Sequence, residues 1–183
     1  VLWTLPSVTV TPGSTTTNSI SIQFGGSYDY VFINRSYTLN NVTYSYNDPT
    51  PVTSTSYLDS AVALNQLYTY TVTPYAYGNS MNAASDISGI AVKISTMTLP
   101  LLNGKQTFTS NATSNSIQIN FGGSFSYVTV SKSDGTLLQN TKGTTSKTCT
   151  DIGLSSNTAY SYVITPYNTI SPTFDISGIP LTI

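Results

Sequence analysis

The chain has 183 residues, of which only 7% are charged, and its formal net charge is −1. It has six basic residues and no His, so no basic patch can neutralise a row of phosphates, and we expect no nucleic-acid partner. No apolar run reaches the length of a membrane span, so we also expect no membrane insertion. The hydrophobic fraction of 39% is too high for a disordered segment, which predicts a folded chain with a surface of Ser, Thr and Asn.

A long segment of the chain occurs twice in similar form. NSISIQFGGSYDYVFI at 18–33 returns as NSIQINFGGSFSYVTV at 115–130, and the pairs YTYTVTPY/YSYVITPY and DISGI/DISGI follow in the same order. Such a repeat, with a unit of roughly ninety residues, indicates a tandem duplication. Thr4-Leu5-Pro6 also recurs as Thr98-Leu99-Pro100. We therefore predict two domains, at 1–97 and 98–183.

The first clear strand of each copy alternates between apolar and polar residues, which is typical of a half-buried strand. The residues predicted to face the core are Ile20, Ile22, Phe24, Ile117, Ile119 and Phe121. The Gly25-Gly26 and Gly122-Gly123 pairs that follow predict turns. Val31 and Ile33, like Val128 and Val130, predict the next strand of each copy.

Further strands are predicted in chain order at 8–11, 54–58, 68–76 and 87–94, with counterparts at 106–109, 147–150, 159–167 and 176–181. No window has a useful helical period. Short strands separated by Gly, Pro, Asn and Ser clusters favour an all-β fold built of two tandem antiparallel β-sandwich domains.

The segment IGLSSNTAYSYVITPYN at 152–168 resembles the end of a fibronectin type III domain, with Leu154 six positions before Tyr160. Val62 and Tyr68 have the same spacing in the first copy. The resemblance implies that both tyrosines form a tyrosine corner, in which the hydroxyl bonds back to the backbone. The NSIxIxF segments look like strand B of that family, with Phe24 and Phe121 in place of the usual Trp.

The sequence offers little chemistry. General acid–base catalysis favours a His or a carboxyl with a raised pKa, and metal sites favour clustered His, Cys or acids; neither kind of cluster occurs. The repeated aspartates, Asp59/Asp151 and Asp86/Asp175, stand alone among Ser, Ile and Ala, which favours a structural role over Ca²⁺ binding. Cys149 aligns with Tyr57, which favours a structural thiol. We predict no catalytic residue, no cofactor and no metal.

One asymmetry points to binding. The first copy has ten of the 14 Tyr and a Tyr-rich insertion at 34–53. Tyr gives a large contact area at low entropic cost, and Asn and Ser adapt their hydrogen bonds, so Tyr37, Tyr44 and Tyr46 are candidate partner contacts. The alternative is an extra edge hairpin in which Tyr44 and Tyr46 cover the sheet.

Two functions of different classes remain open. The first is a non-catalytic structural or adhesive module, a spacer or protein-interaction unit in a virion, fibre or surface protein. The second is an accessory region of a larger secreted enzyme, such as a glycoside hydrolase. The expected partners are other protein subunits of an assembly, with carbohydrate as the alternative, at an extracellular surface or in a virion. The skew toward Asn, Thr, Tyr and Ile resembles that of some large DNA virus structural proteins.

Overall fold

The structure is a computed structural model that describes residues 4–78 and 85–183. The chain divides into two compact units, Val1–Thr98 and Leu99–Ile183. Each unit is an antiparallel β-sandwich, which confirms the predicted fold class. Among the described residues, no helix is long and apolar enough to cross a membrane.

The first unit has eight strands in its described part. They are β1 (Ser7–Thr15), β2 (Ile20–Ser27), β3 (Tyr30–Leu39), β4 (Val42–Asn47), β5 (Ser56–Asp59), β6 (Leu67–Ala76), β7 (Ile87–Ser88) and β8 (Val92–Met97). One sheet has the order β1-β2-β5, and the other has the order β4-β3-β6-β7, with β8 also paired to β6.

The core of the first unit lies between these two sheets, because each strand turns alternate side chains inward. Ile20, Ile22 and Phe24 of β2 meet the inward side chains of β3 and β6. The buried set is Val8, Ile20, Ile22, Phe24, Val31, Ile33, Tyr68, Tyr70 and Val72. The predicted inward positions of the first copy are therefore correct.

The second unit repeats this plan with shorter strands. They are β9 (Leu101–Leu102), β10 (Phe108–Ser110), β11 (Ser116–Asn120), β12 (Gly123–Ser124), β13 (Tyr127–Lys132), β14 (Leu137–Asn140), β15 (Thr148–Ile152), β16 (Tyr162–Ser171), β17 (Phe174–Ser177) and β18 (Leu181–Thr182). The sheets are β10-β11-β15 and β14-β13-β16-β17, with β18 on β16, and β12 pairs separately with β9.

The Gly25-Gly26 pair is not a turn, as the sequence predicted, but lies inside β2, with Gly25 opposite Thr9 and Gly26 opposite Val8. Gly26 has a φ of 120°, and a Cβ there would lie 2.3 Å from the backbone oxygen of Ser7. Glycine therefore allows a close approach between strands at this point.

The prediction of one continuous strand at 87–94 is wrong, because this segment forms two strands, β7 and β8, which are separated at Gly89. A Cβ at Gly89 would lie 1.9 Å from the backbone oxygen of Pro6. The N–H of Gly89 donates to the backbone oxygen of Pro74. The strand predicted at 176–181 is divided in the same way around Gly178, next to Pro100 and Pro166. In both copies of the DISGI segment, the glycine lies where the backbone of a distant proline, Pro6 or Pro100, approaches too closely for a Cβ.

Both tyrosine corners are present. The backbone N–H of Ala63 donates to the hydroxyl of Tyr68 at 2.8 Å, and that of Ser155 donates to the hydroxyl of Tyr160 at 2.8 Å. The expectation drawn from the resemblance is confirmed at both positions. The first bond ties the loop before β6 to that strand, and the second closes the loop that leads into β16.

The repeated aspartates accept hydrogen bonds from repeated tyrosines. Asp86 accepts from the hydroxyl of Tyr30 at 2.7 Å, and Asp175 accepts from that of Tyr127 at 3.0 Å. Asp59 and Asp151, both buried, accept from Tyr70 at 2.8 Å and Tyr162 at 3.1 Å. These bonds give the acids a structural role, because a buried carboxylate needs partners.

Cys149 lies opposite Ile119 in β11, just as Tyr57 lies opposite Ile22 in β2, so the two positions are equivalent. The thiol is buried in the core, and this burial, with the nearby Asp151 carboxylate as a second cause, raises the pKa of Cys149. A thiol that resists ionisation is a poor nucleophile.

Candidate functional site

The insertion lengthens a hairpin that both units possess. In the first unit β3 and β4 pair from Asn34↔Asn47 to Leu39↔Val42, whereas the corresponding β13–β14 hairpin has shorter strands. Asn40 and Asn41 close the longer hairpin with φ values of 50° and 63°. Asn tolerates this left-handed region, and two such residues form the tight turn that suits the twist of a hairpin. The insertion is thus an extended edge hairpin and not an additional one.

Strand alternation places the large apolar side chains of the hairpin on one side. Ile33 is buried in the core, so Tyr37 and Leu39 of β3 turn to the same side, and the register adds Val42, Tyr44 and Tyr46 of β4. Tyr37 is half-buried against the core. The others are exposed: Leu39 by 50%, Val42 by 52%, Tyr44 by 46% and Tyr46 by 53%. We call these four residues the hairpin face.

The two exposed tyrosines of the hairpin face are held by neighbours. The ring of Tyr44 stacks on that of Tyr37, with centroids 5.2 Å apart and planes 15° apart, and Tyr37 in turn contacts the ring of Tyr68. The guanidinium carbon of Arg35 lies 5.5 Å from the centroid of Tyr46 and 5.6 Å from that of Tyr68. These contacts restrict the orientation of both exposed rings.

The guanidinium of Arg35 forms an ion pair with Asp59 inside the first unit. Its Nη1 donates to both carboxylate oxygens of Asp59 at 2.9 Å and to the carbonyl of Ala61 at 2.8 Å. Asp59 is buried and also accepts the Tyr70 hydroxyl. Since an ion pair neutralises the guanidinium, the hairpin face behaves as an apolar, aromatic surface without net charge.

The structure therefore brings Tyr37, Tyr44 and Tyr46 together, but in two environments. Tyr37 packs on the core, and Tyr44 and Tyr46 present about half of their surface to solvent. Sequence reasoning missed Leu39 and Val42. Counting alternate residues from Ile33 along β3 would have found Leu39, and the Asn40-Asn41 turn would then have given Val42.

Sequence comparison gives no match to any protein-family model and no match to any curated protein. The structure is similar to a two-domain fibronectin type III segment of chicken tenascin, with a TM-score of 0.53, 15% identity and 97% of each chain covered. The fold is fibronectin type III-like. A chicken contactin segment, FN1–FN3, also matches, with a TM-score of 0.35, 13% identity, 98% of this chain covered and 66% of that chain.

The two fibronectin type III-like units differ in the length of this hairpin. Elsewhere the described parts of the chain contain no group of three acidic, His or Cys side chains that could hold a metal ion. At 15% identity the likeness defines the fold and assigns no binding residue.

Proposed function

We propose that the chain is a non-catalytic structural or adhesive module that contacts a partner protein through the hairpin face of its first unit. The observation that carries the proposal is the exposure of Leu39, Val42, Tyr44 and Tyr46, by 46–53%, on one side of one hairpin. Contiguous exposed apolar residues mark interaction sites more often than scattered ones. The second unit has a shorter hairpin, so it serves as a spacer in this proposal.

The physical character of the hairpin face suits binding. Tyrosine rings contribute large contact areas, and rings already fixed by Tyr37 and Arg35 lose little further freedom when a partner docks. The face has no unpaired charge, which favours a partner patch that is apolar at its centre and polar at its rim.

The composition supports a non-catalytic role. The chain has no His, and the repeated aspartates accept hydrogen bonds from tyrosines in the two sandwiches. Cys149 is buried and its pKa is raised. These side chains stabilise the fold and are poorly placed to act on a substrate.

The proposed setting is a larger assembly at an extracellular surface, in a fibre or in a virion, where the partners are other protein subunits. A surface rich in hydroxyls with only 7% charged residues supports this setting, since solubility then does not depend on charge.

The test uses site-specific photocrosslinking in the cells or particles that contain the protein. A photoreactive phenylalanine analogue placed at Tyr44 should crosslink to a protein that mass spectrometry identifies, whereas the same analogue at Leu58 should not. Leu58 is a matched control because it is 64% exposed on the other sheet.

The double variant Tyr44→Ser/Tyr46→Ser should then weaken binding to the identified protein by at least about ten-fold, because truncated aromatic contacts often cost more than 1 kcal/mol. Leu58→Ser should leave the affinity unchanged. Equal crosslinking from both positions, or unchanged affinity of the double variant, would contradict the proposal. If the double variant instead lowers the melting temperature of the first unit, the tyrosines cover the sheet and do not form a contact.

A further inference from the structure

A groove lies on the other side of the same hairpin. Phe32 and Asn34 alternate along β3 with the buried Val31 and Ile33, so they point away from the core and from the hairpin face. Phe32 lies opposite Thr73, and Asn34 lies opposite Asn47. The groove has a volume of about 460 Å³ and is lined by Phe32, Ile33, Asn34, Asn47, Asp48, Pro49 and Thr73.

Neighbouring aromatic rings pack against Phe32, the aromatic wall of the groove. The ring of Phe32 meets the rings of Tyr30 and Tyr75 edge to face, at centroid distances of 5.5 and 5.4 Å and interplanar angles of 85° and 82°. Tyr30 and Tyr75 stack on each other at 5.2 Å, and Asp86 fixes the hydroxyl of Tyr30. A ring held in this way offers a fixed surface to a ligand.

The polar wall of the groove supplies both donors and acceptors. The side-chain amides of Asn34 and Asn47, which both line the groove, hydrogen-bond to each other, and this bond leaves the Oδ1 of Asn34 and the NH₂ group of Asn47 for a ligand. Asp48 lines the groove at the end of β4, where one carboxylate oxygen accepts the N–H of Thr50 at 3.0 Å. The hydroxyl of Thr73 can either donate or accept a hydrogen bond.

This pattern matches one class of ligand. Asp48 is the one charged side chain among the described residues lining the groove, so an anionic ligand would find amide donors but no positive charge to offset its repulsion by this carboxylate. A cation would satisfy Asp48 but would leave the amide NH₂ group without an acceptor. A neutral polyhydroxyl ring offers hydroxyls that donate and accept, together with a C–H face that suits the electron-rich face of an aromatic ring.

We propose that this groove binds a neutral pyranose sugar, with the ring of Phe32 against the C–H face and Asn34 and Asn47 at the hydroxyls. Pockets of about 300–1,000 Å³ hold small ligands, and the groove falls within that range. The site is open, and we expect millimolar affinity for one sugar ring. The side chains of Phe32, Asn34 and Asn47 lie on the opposite side of β3 and β4 from the hairpin face.

The second unit is an internal control. Its residue at the position of Phe32 is Thr129, which pairs with Thr165 as Phe32 pairs with Thr73. Where Asn34 pairs with Asn47 in the first unit, Ser131 pairs with Leu137 in the second, so the amide pair is absent there. The proposal therefore assigns sugar binding to the first unit only.

The test is a titration of the ¹⁵N-labelled chain, followed by amide-correlation NMR. The probes are glucose, galactose, mannose, N-acetylglucosamine and their disaccharides, with glucuronic acid as the anionic and choline as the cationic comparison. At least one neutral sugar should give saturable shifts at the amides of Asn34 and Asn47, with none in β13 of the second unit.

Phe32→Thr should weaken this binding by about ten-fold or more. Thr129 shows that the fold accepts threonine at this position, and Asn47→Ala, at the exposed edge, gives a second variant with the same expected loss. Tyr44→Ser/Tyr46→Ser should bind the sugar normally, which separates this proposal from the protein contact. Binding of glucuronic acid or choline alone, shifts outside the groove, or no shift with any neutral sugar would overturn the proposal.

Discussion

The hydroxyl of Tyr70 donates to Oδ2 of Asp59 at 2.8 Å inside the first sandwich. The second sandwich repeats the relationship with Tyr162 and Asp151, at 3.1 Å. In each unit a cation completes the group, Arg35 at 2.9 Å in the first and Lys132 at 3.0 Å in the second. The duplication has therefore kept a buried carboxylate between a hydroxyl and a positive charge while exchanging the kind of cation.

Asp151→Ala should destabilise the second unit by about 2–4 kcal/mol, because removing one partner leaves the other charge in a poor environment. Tyr162→Phe, which removes one hydrogen bond and keeps the ion pair, should cost only about 0.5–1.5 kcal/mol. Urea titrations monitored by hydrogen exchange in β11 and β16 measure both. A loss for Asp151→Ala no larger than that for Tyr162→Phe would show that the ion pair does not stabilise the fold.

Tyr160→Phe should destabilise the second unit by about 0.5–1.5 kcal/mol, since the N–H of Ser155 loses its acceptor. Tyr68→Phe should have a similar effect on the first unit through Ala63. The measurement is the urea midpoint of each variant. Unchanged midpoints would mean that water replaces the corner hydroxyl without cost.

Ile22→Ala and Ile119→Ala should each cost roughly 2–5 kcal/mol, because both side chains are fully buried and their removal leaves a cavity. Gln23→Ala is the matched control, since its side chain lies on the exposed face of β2. Thermal unfolding of the three variants decides the matter, and equal effects at Ile22 and Gln23 would show that the strand faces the other way.

Gly178→Ala should destabilise the second unit by about 2 kcal/mol or more, because a Cβ there would lie 2.1 Å from the oxygen of Pro100 and the backbone would have to move. Gly104→Ala is the control in the same unit, where an added Cβ meets no atom within 4 Å. Its stability should change by no more than about 0.5 kcal/mol. Comparable melting temperatures for the two variants would contradict the close backbone approach.

The fold should lose stability between about pH 10 and 12. Burial, followed by the hydrogen bond to an aspartate, raises the pKa of Tyr30 and that of Tyr127 to about 12. Unfolded tyrosine ionises near pH 10, so the stabilisation is complete below about pH 10 and is lost as the pH rises toward 12. Tyr30→Phe should reduce the pH dependence of unfolding in this window by up to one proton, as measured by urea titration across the range. An unchanged slope would mean that Tyr30 does not titrate with unfolding.

Two cases separate what the sequence predicted from what it missed. The alternation of Ile20, Ile22 and Phe24 predicted the inward face of β2, because a period of two is a property of the strand itself. Gly26 was predicted in a turn and lies in a strand, because its role depends on Ser7, a partner distant along the chain. The division of the strand at 87–94 was missed for the same reason, since Gly89 responds to Pro6.

The candidate site shows the same division. The Tyr-rich composition of 34–53 identified the segment and three of its tyrosines, but composition does not say which side chains the other sheet covers. The pairing of β3 with β4 decided that Tyr37 joins the core while Tyr44 and Tyr46 remain exposed. The groove beside Phe32 could not be predicted from the sequence, because Thr73 belongs to β6 and lies next to β3 only in the folded sheet.

The sequence by itself determined the duplication, the all-β class, the alternation of the central strands and the tyrosine corners, because these depend on local periodicity and on short repeated segments. Only the tertiary structure showed which tyrosines bond the repeated aspartates, why glycine is needed at Gly26, Gly89 and Gly178, and which residues lie on each side of the hairpin. Those features arise where residues far apart in the chain share a sheet or approach within van der Waals distance, and neither spacing nor composition encodes that distance.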